Sequence, residues 1–357
     1  MKAVVTGGAG FLGAKIVQRL LERGDEVVVF SRNPGKGSDP VFATAKTGSD
    51  PLSLIQGDLR ETADVLRAVE GADAVFHVAA KAGVWGPRDE YFGINLTGTR
   101  NVLAACQKHG VRNLVYTSTP SVVFDRGGIS AGDESLPYPA RFLTHYAESK
   151  ALAEQEVLAA NGVNELRTVA LRPHLIWGKG DPHLLPRVLE RARAGKLKQV
   201  GNGRNKVDIT HVNDAAEAHL LALNNIEVAA GKAYFISSET VELWPWINKV
   251  LERAGLPRLS ATVSAPTAYK AGAVMEFLWK VMGKKSEPPM TRFVALNLAT
   301  SHWFKLDAAK RDLGYEAQWT GDYALDEYFG KAGGGQTPFP EENNTRNRLE
   351  TAAGKGV

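Results

Sequence analysis

Two hydrophobic rhythms alternate over the first half of the chain. Short, nearly continuous apolar runs, "KAVVTG", "DEVVVFS", "PLSLIQGD", "DAVFHVAA", "RNLVYTST" and "LRTVALRP", are rich in β-branched residues and bounded by Gly, Asp, Asn or Pro. Between them, "AKIVQRLLERG", "DVLRAVEGA" and "TRNVLAACQKHG" place apolar residues three and four apart. The runs read as strands buried on both faces and the spaced stretches as the helices that bury them. Such alternation over residues 1–172 predicts an α/β fold, a doubly wound parallel sheet with helices on both sides. The stretch "NPGKGSDPVFATAKTGSDP" interrupts the pattern and reads as a loop.

After Pro173 the rhythm becomes irregular, with more proline and tryptophan. Residues 173–330 are expected to form a smaller, irregular α/β substrate lobe. The strand–helix pattern at 205–225, "DITHVNDAAEAHLLAL", is expected to return to the main domain. Residues 331–357 have no apolar periodicity and read as a disordered tail. The segment 268–285, "AYKAGAVMEFLWKVMGKK", is amphipathic and ends in lysines. It is suited either to rest on a membrane surface or to cover a hydrophobic pocket of its own protein.

Composition narrows the function classes. Of 357 residues, 44% are hydrophobic, and the formal charge is only +4. That fits a globular protein with a large core and excludes a nucleic-acid-binding signature. The single cysteine, Cys106, has apolar neighbours and no internal partner, so it reads as a core thiol in a reducing, cytoplasmic compartment. The eight histidines lack metal-ligand spacing, and no metal is expected. No cleavable apolar leader is expected ahead of the first strand, and no run of about 18 apolar residues suggests a membrane span.

Gly7, Gly10 and Gly13 lie between the first strand and first helix, in "VVTGGAGFLGAKIVQRLL". In that context they permit a tight turn, close approach of a pyrophosphate, and packing of helix on strand, the dinucleotide cradle of a Rossmann-type fold. The helix N-terminus adds free N–H groups for the phosphates. After the second strand come Ser31 and Arg32, with Lys36 nearby and no carboxylate. A hydroxyl and a guanidinium suit a 2′-phosphate, which favours NADP(H) over NAD(H). Asp58, after the third strand, is a candidate to meet the adenine amino group.

The pieces "TGGAGFLG", "GDL", "FHVAA", "NLTGTRNVLAAC", "VYTST", "YAESK" and "LRPHLIWGKGD" together resemble an extended short-chain dehydrogenase/reductase of the epimerase/dehydratase superfamily. "YTSTPSVVF" and "YAESKALAEQEVLAANG" resemble its 3β-hydroxysteroid dehydrogenase branch. "KAGVWGP", "RPHLIWGKGDPHLLPR" and "MTRF…LATSHWF" are similar to bacterial 2-alkyl-3-oxoalkanoate reductases.

The resemblance implies that Tyr146 is the general acid/base, Lys150 its partner, and Thr119 the hydroxyl that binds the substrate oxygen. Ser118 and Ser121 stand in if the loop register differs. Positions 146 and 150 share a helix face, and an ammonium beside the phenol is expected to draw its pKa down from about 10. The resemblance further implies cofactor contacts from Phe11, Leu12, Leu59, Ala79, Ala80, Lys81, Asn95, Pro173, His174 and Ile176, with Asn95 chiefly supporting local backbone. It also implies a homodimer through helices that include that of Tyr146. Val84, Trp85, Val122, Val123, Phe124 and Trp177 are expected to line a hydrophobic substrate pocket. Arg172 and Arg187 are candidates to meet a substrate carboxylate, or else structural.

Three functions compete. An NAD(P)-dependent oxidoreductase would act on a 3-oxo or 3-hydroxy group of a lipid- or steroid-like substrate. A nucleotide-sugar epimerase shares the fold and the triad. A dehydratase is disfavoured because Pro120 and Ser121 follow Thr119, where the resemblance requires an Asp-Glu pair. A non-catalytic cofactor sensor would not need both Tyr146 and Lys150.

Overall fold

The computed structural model describes residues 1–33 and 51–330. Most of the loop read after Asn33, with Lys36, and the tail read as disordered lie outside the described residues. Seven parallel strands form the main sheet, in spatial order Ala233–Ile236, Arg167–Pro173, Asn113–Thr117, Ala74–His77, Lys2–Thr6, Glu26–Ser31 and Leu52–Gln56. The first strand lies between Ala74–His77 and Glu26–Ser31, with Val4 opposite both Val28 and Val75. The chain therefore winds away from the first strand in both directions, and a crevice opens at the carboxyl ends of these strands.

Ala3, Val4 and Val5 are wholly buried because helices cover both faces. On one side Ile16, Val17 and Leu20 of the Phe11–Glu22 helix pack with Ala215, Ala218 and Ala222 of the Val212–Asn224 helix. On the other, Val102 and Cys106 of the Gly98–His109 helix meet Val65, Ala153 and Val157. Burial pushes the Cys106 thiol up to about 12, consistent with an inert core thiol.

A second sheet has the order Glu239–Glu242, Lys206–His211, His302–Phe304 and Ile129–Gly132, with Ile176–Trp177 pairing beside Lys206–His211. Two boundaries differ from the sequence expectation. The Lys206–His211 strand belongs to this second sheet, and only the helix that follows it rejoins the main domain. The last main-sheet strand, Ala233–Ile236, comes from within the stretch assigned to the lobe. At four residues, "AYFI" is too short for periodicity to locate.

Trp177, Trp244, Trp246 and Ile247 fill the lobe core. The Ala265–Val281 helix buries only Ala268 and Gly272, while Val274, Phe277, Leu278, Val281 and Met282 stay exposed at its end. Among the described residues no helix is long and apolar enough to cross a membrane.

Two buried histidines tie the sheet to its helices. His77 shares hydrogen bonds with Thr6 Oγ1 (2.8 Å) and Thr99 Oγ1 (2.9 Å), and His219 with Thr117 Oγ1 (2.8 Å) and the Ala215 carbonyl (2.7 Å). Burial lowers their pKa values to about 3 and about 4. The unfolded chain protonates these rings near 6.5, so below that pH it binds more protons than the folded chain and stability falls. At pH 5 each ring costs about 2 kcal/mol relative to neutral pH. Asp208, raised by burial to about 6, acts in the opposite sense. Its carboxyl is protonated first in the folded state and returns about 1 kcal/mol over the same interval. The expected net result is a melting temperature roughly 5 °C lower at pH 5 than at pH 7.5. A melting temperature that does not change between those pH values would contradict this assignment.

Candidate active site

The glycine turn is shaped by contacts that no side chain could share. Gly7 has φ +69°, and a Cβ there would come within 2.9 Å of Ala79 Cα. A Cβ on Gly13 would come within 2.2 Å of the Gly7 carbonyl oxygen. The Gly7 N–H donates to the Phe30 carbonyl and the Gly10 N–H to Gly7, both at 2.8 Å. Gly10 caps the Phe11–Glu22 helix, whose first turn holds no acidic residue to compete with a phosphate. This bare backbone forms one end of a cleft of about 930 Å³. Its shape and donors fit a dinucleotide pyrophosphate.

At the end of the second strand Ser31 and Arg32 face the cleft, beside Asp58 and Leu59. Asp58 is already engaged: Arg60 Nη2 lies 2.6 Å from its carboxylate and holds its pKa below the usual range. Sequence reading missed Arg60 as a cleft residue. Its signal was its place two residues after Asp58 in "GDLR".

Phe11, Leu12, Ala79, Ala80, Lys81, Pro173 and Ile176 also line the cleft. His174 does not. Leu175 has φ +43°, a left-handed kink that puts Leu175 and Ile176 on the cleft wall. His174 turns away against His302 and Phe304. A non-glycine residue in that conformation is strained and needs its surroundings to hold it. Here the Leu175 carbonyl accepts from Thr210 N–H.

Asn95 is likewise not on the wall; it is buried behind it. It sits in a π-helical turn, Phe92–Thr97, that precedes the Gly98–His109 helix. Its Oδ1 accepts from Lys81 N–H (2.7 Å), and its Nδ2 donates to the Lys81 carbonyl (3.1 Å) and to Ser149 Oγ (3.0 Å). Ser149 Oγ in turn donates to the Tyr146 carbonyl. Asn95 therefore braces the Lys81 backbone against the helix carrying Tyr146. Ser149, inside the quoted "YAESK", is a positioning residue that the motif's Tyr and Lys overshadow.

Thr144 caps the His145–Ala159 helix by accepting from Ala147 N–H. Tyr146 and Lys150 then share its cleft-facing side, where Ser118 and Thr119 join them. Burial raises the Tyr146 pKa above its ordinary value, and the Thr119 hydroxyl nearby opposes that shift only in part. The expected lowering by Lys150 does not occur. Lys150 Nζ instead donates to the Thr117 carbonyl at 2.5 Å and lies 4.0 Å from the centre of the Tyr116 ring. Desolvation lowers the Lys150 pKa to about 7, so this ammonium is only partly charged at neutral pH. Ser118 Oγ is buried beside Thr119 without a partner among the described residues, and Ser121 is bonded to Thr119.

A second cavity of about 650 Å³ is lined by sequence neighbours of cleft residues: Ala82 and Tyr146 line the cleft, Val84 and His145 the cavity. Trp85, Phe277 and Phe293 add its apolar walls. The 268–285 segment thus covers a pocket through Ala273, Glu276, Phe277 and Lys280. Val122, Val123 and Trp177, expected here, are core residues instead. Phe124 is also buried and reaches the cavity only through Phe293, edge-on at 5.6 Å. Trp177 packs inside the lobe core, and Val122 and Val123 pack where the two sheets meet. Arg172 forms a buried pair with Glu154 at 2.6 Å, and Arg187 holds the Glu287 carboxylate at 2.7 and 3.1 Å. Both are occupied structurally.

Sheet order, glycine cradle and the cleft residues Thr119, Tyr146 and Lys150 define the extended short-chain dehydrogenase/reductase class. Comparison narrows the class, since residues 4–264 match the 3-beta hydroxysteroid dehydrogenase/isomerase family, and the chain belongs to that family. It is 47% identical over 324 residues to a 2-alkyl-3-oxoalkanoate reductase of Stenotrophomonas maltophilia (strain K279a), covering 89% of this chain and 95% of that one. It is 35% identical over 338 residues to a 3-beta-hydroxysteroid dehydrogenase of Mycolicibacterium neoaurum, covering 91% and 90%. The crystal structure of gox2253 superposes with a TM-score of 0.72 at 27% identity, over 92% of this chain and 97% of that one.

Proposed function

We propose that the protein reduces the 3-oxo group of a hydrophobic, lipid-like substrate, using NADPH. The observation that carries this is the gathering of Tyr146, Thr119 and Lys150 on the glycine-cradled cleft, with a second cavity lined by Val84 and Trp85 starting one residue away on the Tyr146 helix, at His145. Gly7, Gly10 and Gly13 would hold the pyrophosphate, and the bound nicotinamide supplies hydride.

The residues of this chain manage the proton and the charge. The Tyr146 phenol, kept protonated at neutral pH by burial, gives its proton to the carbonyl oxygen. Thr119 Oγ1 donates to the same oxygen as negative charge develops there. Lys150, fixed on the Thr117 carbonyl, lines the same cleft, where it would hold the cofactor ribose and support charge on the phenol. Val84, Trp85, Phe277 and Phe293 exclude water around the alkyl chain.

Arg32 and Arg60, both on the cleft wall, support a preference for the 2′-phosphate cofactor, since Asp58 is held by Arg60 and its charge is offset. The apolar cavity favours a lipid over the sugar nucleotide of an epimerase. Following cofactor absorbance with a panel of 3-oxo and 3-hydroxy lipids and both cofactors tests the reading. NADPH is expected to exceed NADH in kcat/KM by about tenfold or more, the worth of one charge-assisted phosphate contact. No turnover of any 3-oxo or 3-hydroxy compound by folded protein that binds the cofactor would overturn it.

The same reading keeps the chain cytoplasmic and homodimeric. The exposed Val274, Leu278, Val281 and Met282, beside Lys280, Lys284 and Lys285, suit a peripheral membrane contact. Light scattering and sedimentation with anionic vesicles read these two points; a monomer, or protein left in the supernatant, would count against them.

A further inference from the structure

We infer that His77 is a positioning residue for the reaction: one ring nitrogen steadies the cofactor cradle, and the other steadies the helix that carries Tyr146. This rests on the reductase reading above and goes beyond it, because one buried imidazole then sets the proton donor in register with the dinucleotide.

The hydrogen bonds around His77 allow one arrangement of protons. Thr6 Oγ1 accepts from the Ala79 N–H at 3.2 Å. Among the described residues the Thr6 hydroxyl proton has no acceptor but His77 Nδ1, 2.8 Å away. At the other end the Thr99 hydroxyl donates to the Asn95 carbonyl at 2.6 Å, so toward His77 Nε2, at 2.9 Å, it can only accept. Both ends independently place the ring proton on Nε2. Burial, with the Lys150 charge second, keeps the ring neutral by lowering its pKa to about 3. Thr6, His77, Asn95, Thr99 and Ser149 are all buried, so water does not replace a lost partner.

The two nitrogens lead to different parts of the site. From Nδ1 the chain of bonds reaches the cradle. Thr6 ends the first strand directly before Gly7, and Ala79 Cα lies 2.9 Å from where a Gly7 Cβ would stand. Gly7 and Ala79 both line the cofactor cleft. From Nε2 the chain reaches the proton donor. Thr99 holds the Asn95 carbonyl, Asn95 Nδ2 donates to Ser149 Oγ at 3.0 Å, and Ser149 Oγ donates to the Tyr146 carbonyl at 3.0 Å. A displacement of about 1 Å in a reacting group can cost on the order of a hundredfold in rate. A bond that sets the Tyr146 helix against the cradle therefore acts on rate without touching substrate.

Asparagine and glutamine separate the two arms. His77→Asn keeps an acceptor near the Nδ1 position and loses the Nε2 donor, whereas His77→Gln keeps a donor near Nε2 and loses the Nδ1 acceptor. His77→Asn should lower the single-turnover rate at saturating NADPH about tenfold, the worth of one buried hydrogen bond, with a smaller change in NADPH Kd. His77→Gln should raise that Kd about tenfold, with a smaller change in rate. Thr99→Val and Thr6→Val are isosteric, cut the same two links from their far ends, and should repeat the split. They decide the matter if a His77 variant does not fold. Rates are read with the panel compound that wild type turns over best, and Kd by NADPH fluorescence. Rate and affinity lost in equal proportion in both threonine variants, or lost in neither, overturns the assignment and leaves the reductase reading intact. Wild type inactive on the whole panel defeats that reading instead. NADPH affinity then tests His77 alone, and Thr6→Val binding as tightly as Thr99→Val overturns its role.

Discussion

Tyr146→Phe lowers kcat for carbonyl reduction by about a thousandfold, the usual worth of a positioned general acid, while leaving cofactor affinity close to wild type. The substitution removes one oxygen and keeps the ring that helps close the cleft, so a folding defect is not expected. Thr119 stays in place and still stabilises charge on the substrate oxygen, which leaves residual activity above background. The direction of the Tyr146 shift adds a second signature. A phenol held above its ordinary pKa is ready to donate at neutral pH, so any inflection of reduction near neutrality should come from Lys150 and not from Tyr146. Oxidation of the alcohol needs the phenolate and should climb with pH. Single-turnover rates in both directions, with cofactor binding followed separately, check both points. Retention of activity within tenfold in Tyr146→Phe would move the proton source elsewhere. The alternative is Ser118, whose buried hydroxyl has no partner among the described residues.

The sheet was legible because its strands are buried on both faces and their apolar runs are continuous. Lys2–Thr6, Glu26–Ser31 and Asn113–Thr117 all fall inside runs read from the sequence. The proton-transfer residues were legible for another reason: they lie on a helix and at a strand end, where spacing in sequence fixes proximity in space. Tyr146 and Lys150 reach the cleft on one helix face, and Thr119 meets them from the strand beside it.

What escaped sequence reading depends on backbone kinks and on packing between lobes. The left-handed turn at Leu175 exchanges His174 for its neighbour, and apolar runs carry no sign of such a turn. Trp177 is apolar because it fills the lobe core and Val122 because two sheets meet around it; hydrophobicity alone does not separate a pocket wall from a core. The acidity of Tyr146 was misread because helical spacing placed Lys150 nearby but could not show it bound to the Thr117 carbonyl.

Gly13→Ala weakens NADPH binding on the order of a hundredfold, because the new methyl group has nowhere to go. Its Cβ would lie 2.2 Å from the Gly7 carbonyl oxygen and 2.8 Å from the Gly7 carbonyl carbon and Gly8 Cα, all backbone atoms. No rotamer change relieves such contacts. Either the first turn of the Phe11–Glu22 helix moves outward or the Gly7 turn opens, and each removes N–H groups from where a pyrophosphate would sit. Gly10→Ala sets the comparison: its Cβ would meet only the Gly7 oxygen, at 3.2 Å, which a few tenths of an ångström of movement relieves. The expected order of affinity is wild type, then Gly10→Ala, then Gly13→Ala. Thermal shifts on adding NADPH separate loss of the cradle from loss of the fold, because a ligand raises the melting temperature only of protein that binds it. Gly13→Ala should melt cooperatively, several degrees below wild type, and gain almost nothing from the cofactor. A full cofactor-induced shift in that variant would mean that the dinucleotide does not rest on this turn.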